Sequence, residues 1–315
     1  MSRPKVLHID KNHDLLLEGL ESLGYKNVLA YDTPLSILLP KLKEYFGVVI
    51  RSRFPINKKF IDKASNLKFI ARVGSGLENI DVRYATKKNI NLLSAPEGNR
   101  NAVGEHALGM LLCLMNKIRL GHESIKDGVW NREEHRGWEL EGRTVGIIGY
   151  GNTGQSFAKK LNGFNNLKII FYDIKQNLGD DFAQQVSLEV LKENAEILSL
   201  HIPESKETSG MINEKFINQM QNPFWFINTA RGKAVNTDDL VIGIKSGKIL
   251  GAGLDVLEYE SSSFYSIFND NKKNSSLTFL KNSKRVILTP HVGGWTLESH
   301  KKLSETILDK IRALG

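Results

Sequence analysis

The stretch TVGIIGYGNTGQSFAKKLNGFNNLKIIFYD (144–173) reads as a buried strand, a glycine-rich turn, a helix and a second strand closed by an acid. Thr144 to Ile148 is an apolar run of the kind that a strand covered on both faces requires. It leads directly into Gly149, Gly151 and Gly154 of a G-x-G-x-x-G pattern that also contains Asn152 and Thr153. Gly149 permits a tight turn, Gly151 lets the backbone approach a pyrophosphate, and Gly154 lets the helix pack close to the sheet. Phe157, Ala158, Leu161 and Phe164 then recur at helical spacing, so the helix docks on the sheet while its N-terminal N–H groups face an anion. Asp173 at the end of the second strand would accept both ribose hydroxyls and repel a 2′-phosphate, which predicts NAD rather than NADP. Three glycines alone would mean only a loop. The flanking strand, amphipathic helix and terminal acid make the pattern a nucleotide site.

Composition sets the outer limits. At 315 residues, 41% hydrophobic and 25% charged, the chain is long enough for two domains with full cores. No apolar run reaches membrane-spanning length, and MSRPKVLHID enters a strand-like segment without a signal sequence, so the expected location is the cytoplasm. Cys113, the only cysteine, lies in the apolar run ALGMLLCLMNKI and reads as a small buried thiol. The net charge of +8 invites a nucleic-acid reading, but the basic residues are scattered among acids and no basic helix or aromatic platform appears. The one dense basic stretch, Lys272 to Arg285, reads as a solvated loop from its Asn and Ser content. No histidine pair has metal-ligand spacing with a supporting acid, so no metal is expected.

Strand candidates alternate with helix-length segments in two series. The first is KVLHID (5–10), NVLAYD (27–32), GVVIRS (47–52), LKFIARV (67–73) and INLLSA (90–95). The second is TVGIIG, KIIFYD, EILSLHI (196–202), FWFINT (224–229), ILGAGLDV (249–256) and RVILTP (285–290). Each series predicts an open parallel α/β sheet. Between them, residues 101–119 read as one long apolar helix, followed by a polar segment carrying Trp130 and Trp138, which suits a domain junction or subunit contact.

Four segments give the chain a resemblance to the D-isomer-specific 2-hydroxyacid dehydrogenase family: ARVGSGLENID (71–81), the glycine fingerprint with Asp173, INTARG (227–232), and GLDVLEYE with LTPHVGG (253–260 and 288–294). The resemblance implies a flavodoxin-like substrate domain (1–98 with 292–315), a Rossmann NAD-binding domain (99–291) and a substrate cleft between them. It implies hydride transfer between NAD and C2 of a small 2-hydroxy or 2-keto acid, and a homodimer; the scattered charge and the lack of a long apolar run leave neither nucleic acid nor membrane as an expected partner. Arg231 matches the family's catalytic arginine, whose fork can clamp carboxylate and ketone oxygens. His291 matches the acid/base, and Glu260 its partner acid, which would fix the ring tautomer and stabilise the imidazolium. His201 and Pro203 in SLHIP, Thr229, Ala230 and Asp255 match cofactor-lining positions. Ser75 and Gly76 match the loop whose N–H groups hold the substrate carboxylate. His106, on an apparent helix, reads as packed or capped.

Substrate choice turns on Arg51 and Arg53. The R-S-R pattern after the third strand resembles phosphoglycerate dehydrogenases, and strand alternation would place both side chains on one side as a shared anion site. This predicts oxidation of 3-phosphoglycerate, the entry to serine synthesis. The alternatives are a glyoxylate or hydroxypyruvate reductase and, from another class, an NAD-sensing corepressor. The segment 261–285 looks longer than the family's usual connection and is read as a lid or interface element. The end at Gly315 implies no appended regulatory domain.

Overall fold

In a computed structural model, which describes residues 3–260 and 274–314, every apolar run read as a strand forms one. The first series gives β1 (Lys5–His8), β2 (Lys26–Leu29), β3 (Tyr45–Ile50), β4 (Phe69–Arg72) and β5 (Asn91–Leu93). They pair in parallel in the order β2-β1-β3-β4-β5, the flavodoxin-like arrangement. Side chains alternate across a strand. Leu7, Val48, Ile50 and Ile70 therefore pack on one face with Leu42, Phe60 and Ile61. Val6, Val49, Phe69 and Ala71 pack on the other, against Leu16 and Leu20 of the helix Asp14–Ser22 and Leu303, Ile307 and Ile311 of the helix Leu297–Arg312. The C-terminal helix thus belongs to this first sheet, in a unit formed by residues 3–99 and 295–314.

The second unit, residues 100–260 and 274–294, holds β6 (Thr144–Ile148), β7 (Lys168–Tyr172), β8 (Gln184–Gln185), β9 (Ile197–Leu200), β10 (Phe224–Asn228), β11 (Ile249–Leu254) and β12 (Val286–Leu288). All pair in parallel, in the order β12-β11-β10-β9-β6-β7-β8. Chain order reverses between β6 and β9, the switch point where open α/β sheets bind ligands at the carboxyl ends of their strands. β8 is a two-residue edge strand of glutamines, too short and polar to leave a periodic signal.

Three local expectations are corrected. The helix read over 101–119 runs instead from Pro96 to Met115. Lys117 then adopts a left-handed conformation, φ 52°, which ends the regular hydrogen-bond ladder, and a second helix spans Ile118–Lys126. Lys272 to Arg285 is not simply a solvated loop, because Ser275–Asn282 forms a helix. Its Asn and Ser residues serve as caps and contacts: Asn274 Oδ1 accepts from the Leu277 N–H at 2.9 Å, and Ser276 donates to Asp238 at 2.5 Å. Cys113 is partly exposed rather than buried. Residues 261–273, most of the segment read as a lid, lie outside the described residues. Among the described residues no helix is long and apolar enough to cross a membrane.

Candidate active site

The glycine turn sits at the switch point of the second sheet. Gly149 has φ +91°, and a Cβ there would come within 2.5 Å of the His201 carbonyl oxygen, so the turn demands glycine. A Cβ at Gly154 would lie 2.2 Å from the Gly149 carbonyl oxygen, which fixes how closely the helix Asn152–Leu161 starts on the strand. Gly151 differs: among the described residues nothing lies within 4 Å of a Cβ built there, so none of them requires glycine and the space is open. It precedes a helix start that no side chain caps, the arrangement that receives a phosphate. Asp173 accepts the Tyr150 N–H at 2.8 Å and the Lys175 N–H at 2.9 Å, which orients its carboxylate beside the turn.

Two buried polar atoms on this edge have no partner among the described residues. One is His201 Nδ1 and the other is Thr229 Oγ1. His201 Nε2 is engaged by Ser199 Oγ at 2.9 Å, and burial pushes the imidazole down to about 3, so the ring is neutral. Orphaned polar atoms just past the carboxyl ends of β9 and β10, in the same sheet as the open glycine and uncapped helix start, fit a polar ligand such as a dinucleotide. Pro203 lies in the loop after β9, its carbonyl accepting from Thr208 Oγ1 at 2.8 Å.

Arg231 follows β10. The turn that presents it is built by Asn228, 1% exposed at the strand end. Its Oδ1 accepts the Ala230 N–H and its Nδ2 donates to the Arg231 carbonyl, both at 3.0 Å. Arg231 Nη1 in turn donates to the Ala230 carbonyl at 2.7 Å. Sequence reading assigned Asn228 no part. The signal was there, since an Asn closing an apolar strand is a strong former of side-chain-to-backbone turns.

His291 and Glu260 meet. His291 Nδ1 lies 2.7 Å from Glu260 Oε2, with both side chains partly buried, while Glu260 Oε1 accepts the Leu257 N–H at 2.5 Å. An ionised carboxylate only accepts, so Nδ1 carries a proton and Nε2 is the nitrogen able to exchange one. His291 has φ +55°, a region costly for any residue with a side chain and one that clusters at functional sites. Asp255, expected beside the nicotinamide, is 2% exposed and already well occupied. It accepts the Thr289 hydroxyl at 2.5 Å and the Val292 and Gly293 N–H groups at 2.8 and 2.7 Å. Burial would push this carboxyl up, but the bonds from His106, Thr289, Gly293 and Val292 hold it below the usual carboxylate range.

In the first unit the two arginines part company. β3 ends at Ile50, so the strand alternation expected to put Arg51 and Arg53 on one side does not extend through them. The Arg53 guanidinium donates to the carbonyls of Ala30 (2.7 Å), Thr33 (2.9 Å) and Ile9 (3.4 Å), stapling the ends of β1 and β2. Arg51 instead lies 3.9 Å over the Trp295 ring, a cation–π contact, and burial lowers its pKa. Asp10, which sequence reading passed over, accepts the N–H groups of Arg51 and Ser52 at 2.6 and 3.2 Å. Ser75 and Gly76 follow β4, where Ser75 Oγ donates to Asn99 Oδ1 at 2.7 Å. Among the described residues no group of three or more His, Cys, Asp or Glu side chains could hold a metal ion.

Residues 108–293 match the model of the D-isomer specific 2-hydroxyacid dehydrogenase NAD binding domain. The chain is 33% identical to the hydroxypyruvate reductase of Thermotoga maritima, over 96% of this chain and 94% of that one. It is 32% identical to the D-3-phosphoglycerate dehydrogenase of Archaeoglobus fulgidus over 87% of this chain, a match that spans 50% of that enzyme's length. The crystal structure of D-lactate dehydrogenase from Aquifex aeolicus complexed with NAD and lactic acid superposes with a TM-score of 0.83 at 28% identity, covering 98% of this chain and 95% of that one. The match to the NAD-binding model extends over most of the second unit and the likeness to these enzymes over nearly the whole length, so the chain belongs to the D-isomer-specific 2-hydroxyacid dehydrogenases, oxidoreductases that use NAD.

Proposed function

We propose that the chain reduces small, unphosphorylated 2-keto acids of the hydroxypyruvate and glyoxylate class with NADH, and oxidises the matching D-2-hydroxy acids in reverse. The observation that carries this choice is the Arg53 guanidinium, given over to three backbone carbonyls. Arg51 is thereby left without the second arginine that would help hold a phosphate. The relative from Thermotoga maritima, similar over almost its full length, supports the same direction.

NAD, when bound, supplies or accepts the hydride at C2. The glycine turn and the N-terminus of the helix Asn152–Leu161 hold the pyrophosphate, and Asp173 takes the ribose hydroxyls. His201 Nδ1 and Thr229 Oγ1, which have no partner among the described residues, would be available to the cofactor. Within the first unit, Ser75 and Gly76 are the residues whose backbone N–H groups are proposed to bind a carboxylate. Arg231 fixes the carboxylate and carbonyl oxygens and polarises the carbonyl. His291 passes the Nε2 proton to the C2 oxygen in reduction and takes it back in oxidation, while Glu260 stabilises the cationic ring.

A panel of keto acids with NADH tests the substrate choice. Hydroxypyruvate or glyoxylate is expected to exceed phosphohydroxypyruvate in kcat/KM by about tenfold or more, and Arg51→Ala to change that ratio little. A second reading, oxidation of 3-phosphoglycerate, is favoured by the Arg51 charge resting on an aromatic ring rather than a carboxylate. A preference for the phosphorylated acid that Arg51→Ala abolishes would replace the first reading by the second.

We also propose a homodimer formed through residues 118–138, where Ile118, Ile125, Val129, Trp130 and Trp138 are all exposed, Trp130 to 81%. Trp130→Glu should shift the sedimentation of the protein from dimer to monomer. Identical sedimentation of variant and parent would remove this assignment.

A further inference from the structure

The catalytic reading leaves His106 unused, although it joins a directional chain of hydrogen bonds that ends at His291. His106 lies on the helix Pro96–Met115. Its Nε2 is 3.0 Å from Thr289 Oγ1 and 3.5 Å from Asp255 Oδ1. Thr289 Oγ1 lies 2.5 Å from the same Asp255 oxygen. An ionised Asp255 offers no proton, so the threonine hydroxyl must donate to it. The hydroxyl oxygen then presents only lone pairs to the imidazole, and His106 must donate from Nε2. The proton order is thus fixed as His106 to Thr289 to Asp255.

At the far end, Asp255 grips three successive backbone N–H groups. Its carbonyl oxygen accepts from His291 at 2.8 Å, Oδ1 from Val292 at 2.8 Å and Oδ2 from Gly293 at 2.7 Å. Asp255 itself is anchored through its N–H to the Asn228 carbonyl at 3.0 Å. Binding three consecutive donors from one residue forces a sharp turn, and the turn falls on His291, at φ +55°. The grip depends on the rotation of the Asp255 carboxylate, which sets which oxygen meets which N–H. Thr289 locks that rotation, and His106 locks the Thr289 hydroxyl. Thr289 adds a second hold, since its carbonyl also accepts the His291 N–H at 3.0 Å.

We propose that His106 is a positioning residue for the reaction, holding the His291 ring in register through Thr289 and Asp255. The proposal rests on His291 being the acid/base, and the two are tested apart. With purified enzyme, His106→Met and Thr289→Val are each expected to lower kcat for keto-acid reduction by about tenfold. NADH affinity, read by fluorescence titration, should stay within about twofold of the parent, because neither side chain is assigned to the cofactor. His106→Gln keeps a donor and Thr289→Ser keeps the hydroxyl, so both should recover most of the kcat. The double variant His106→Met with Thr289→Val should be no slower than Thr289→Val alone, since both changes cut one chain.

Full kcat in folded His106→Met, equal losses in the Gln and Met variants, or losses that multiply in the double variant would each overturn the proposal. If His106→Met fails to fold, the Thr289→Ser and Thr289→Val pair decides the question, because valine replaces the hydroxyl by a methyl of nearly the same size while serine keeps the hydroxyl and loses only the methyl. His291→Ala run beside these separates the two readings. Activity surviving in that variant removes the acid/base assignment itself, whereas activity lost there but intact in His106→Met removes only the positioning role.

Discussion

Replacing His291 by alanine is expected to lower kcat by about a thousandfold in both directions, within the range that a positioned general acid/base contributes. Dinucleotide affinity should change little, because the open glycine, the uncapped helix start and Asp173 are untouched. The ring is specified from two sides: Nδ1 faces Glu260 Oε2 at 2.7 Å, and the backbone N–H is held by the carbonyls of Asp255 and Thr289. Glu260→Gln sharpens the test. Glu260 accepts from two N–H donors at once, His291 Nδ1 through one oxygen and Leu257 N through the other. Glutamine has one acceptor and one donor end, so one of those contacts becomes donor against donor and must break. The expected cost is about ten- to a hundredfold in kcat, smaller than for loss of the ring, and greatest where the imidazolium is needed for reduction. Steady-state rates in both directions across pH measure this. Equal rates in parent and His291→Ala would remove the histidine from the mechanism.

Much of the architecture was legible because each signal was local. The strands announced themselves by apolar runs bounded by turn residues, and both sheets formed from those runs. The three glycines of the fingerprint were separable for distinct reasons, and the structure gives each its own: a positive φ at Gly149, open space at Gly151 and backbone contact at Gly154. What failed or stayed hidden was non-local. The alternation argument for Arg51 and Arg53 needed β3 to continue, but it ends at Ile50, and Arg53 found carbonyls 20 to 44 residues away in sequence. His106 bonds Thr289 across 183 residues, a pairing that no periodicity or spacing encodes. The helix Ser275–Asn282 was read as loop because Asn and Ser are poor helix interiors, yet at its start they act as caps. Arg231, Glu260 and His291 could be singled out only by resemblance, since a lone Arg, Glu or His carries no fold-independent mark of chemistry.

Arg231→Lys should cost about a hundredfold in kcat/KM, and Arg231→Gln about a thousandfold, magnitudes typical of removing a donor aimed at a developing oxyanion. Lysine keeps the charge and loses the fork. Its single ammonium can attract the substrate carboxylate, but it cannot also hold the carbonyl oxygen in a fixed plane. The lysine variant should therefore lose more in kcat than in KM, while glutamine, lacking charge, should lose heavily in both. The backbone makes a second, independent forecast. Asn228 binds the Ala230 N–H and the Arg231 carbonyl, both at 3.0 Å, so Asn228→Ala frees the turn without touching the guanidinium. That change should lower kcat by about tenfold, with added guanidinium ion giving no rescue because the side chain is still present. In Arg231→Ala, by contrast, exogenous guanidinium should restore part of the rate, since the missing cation can then occupy the space the side chain left. If Arg231→Lys retained the parental kcat and raised only KM, the arginine would be a carboxylate clamp alone, and polarisation of the carbonyl would have to come from another group.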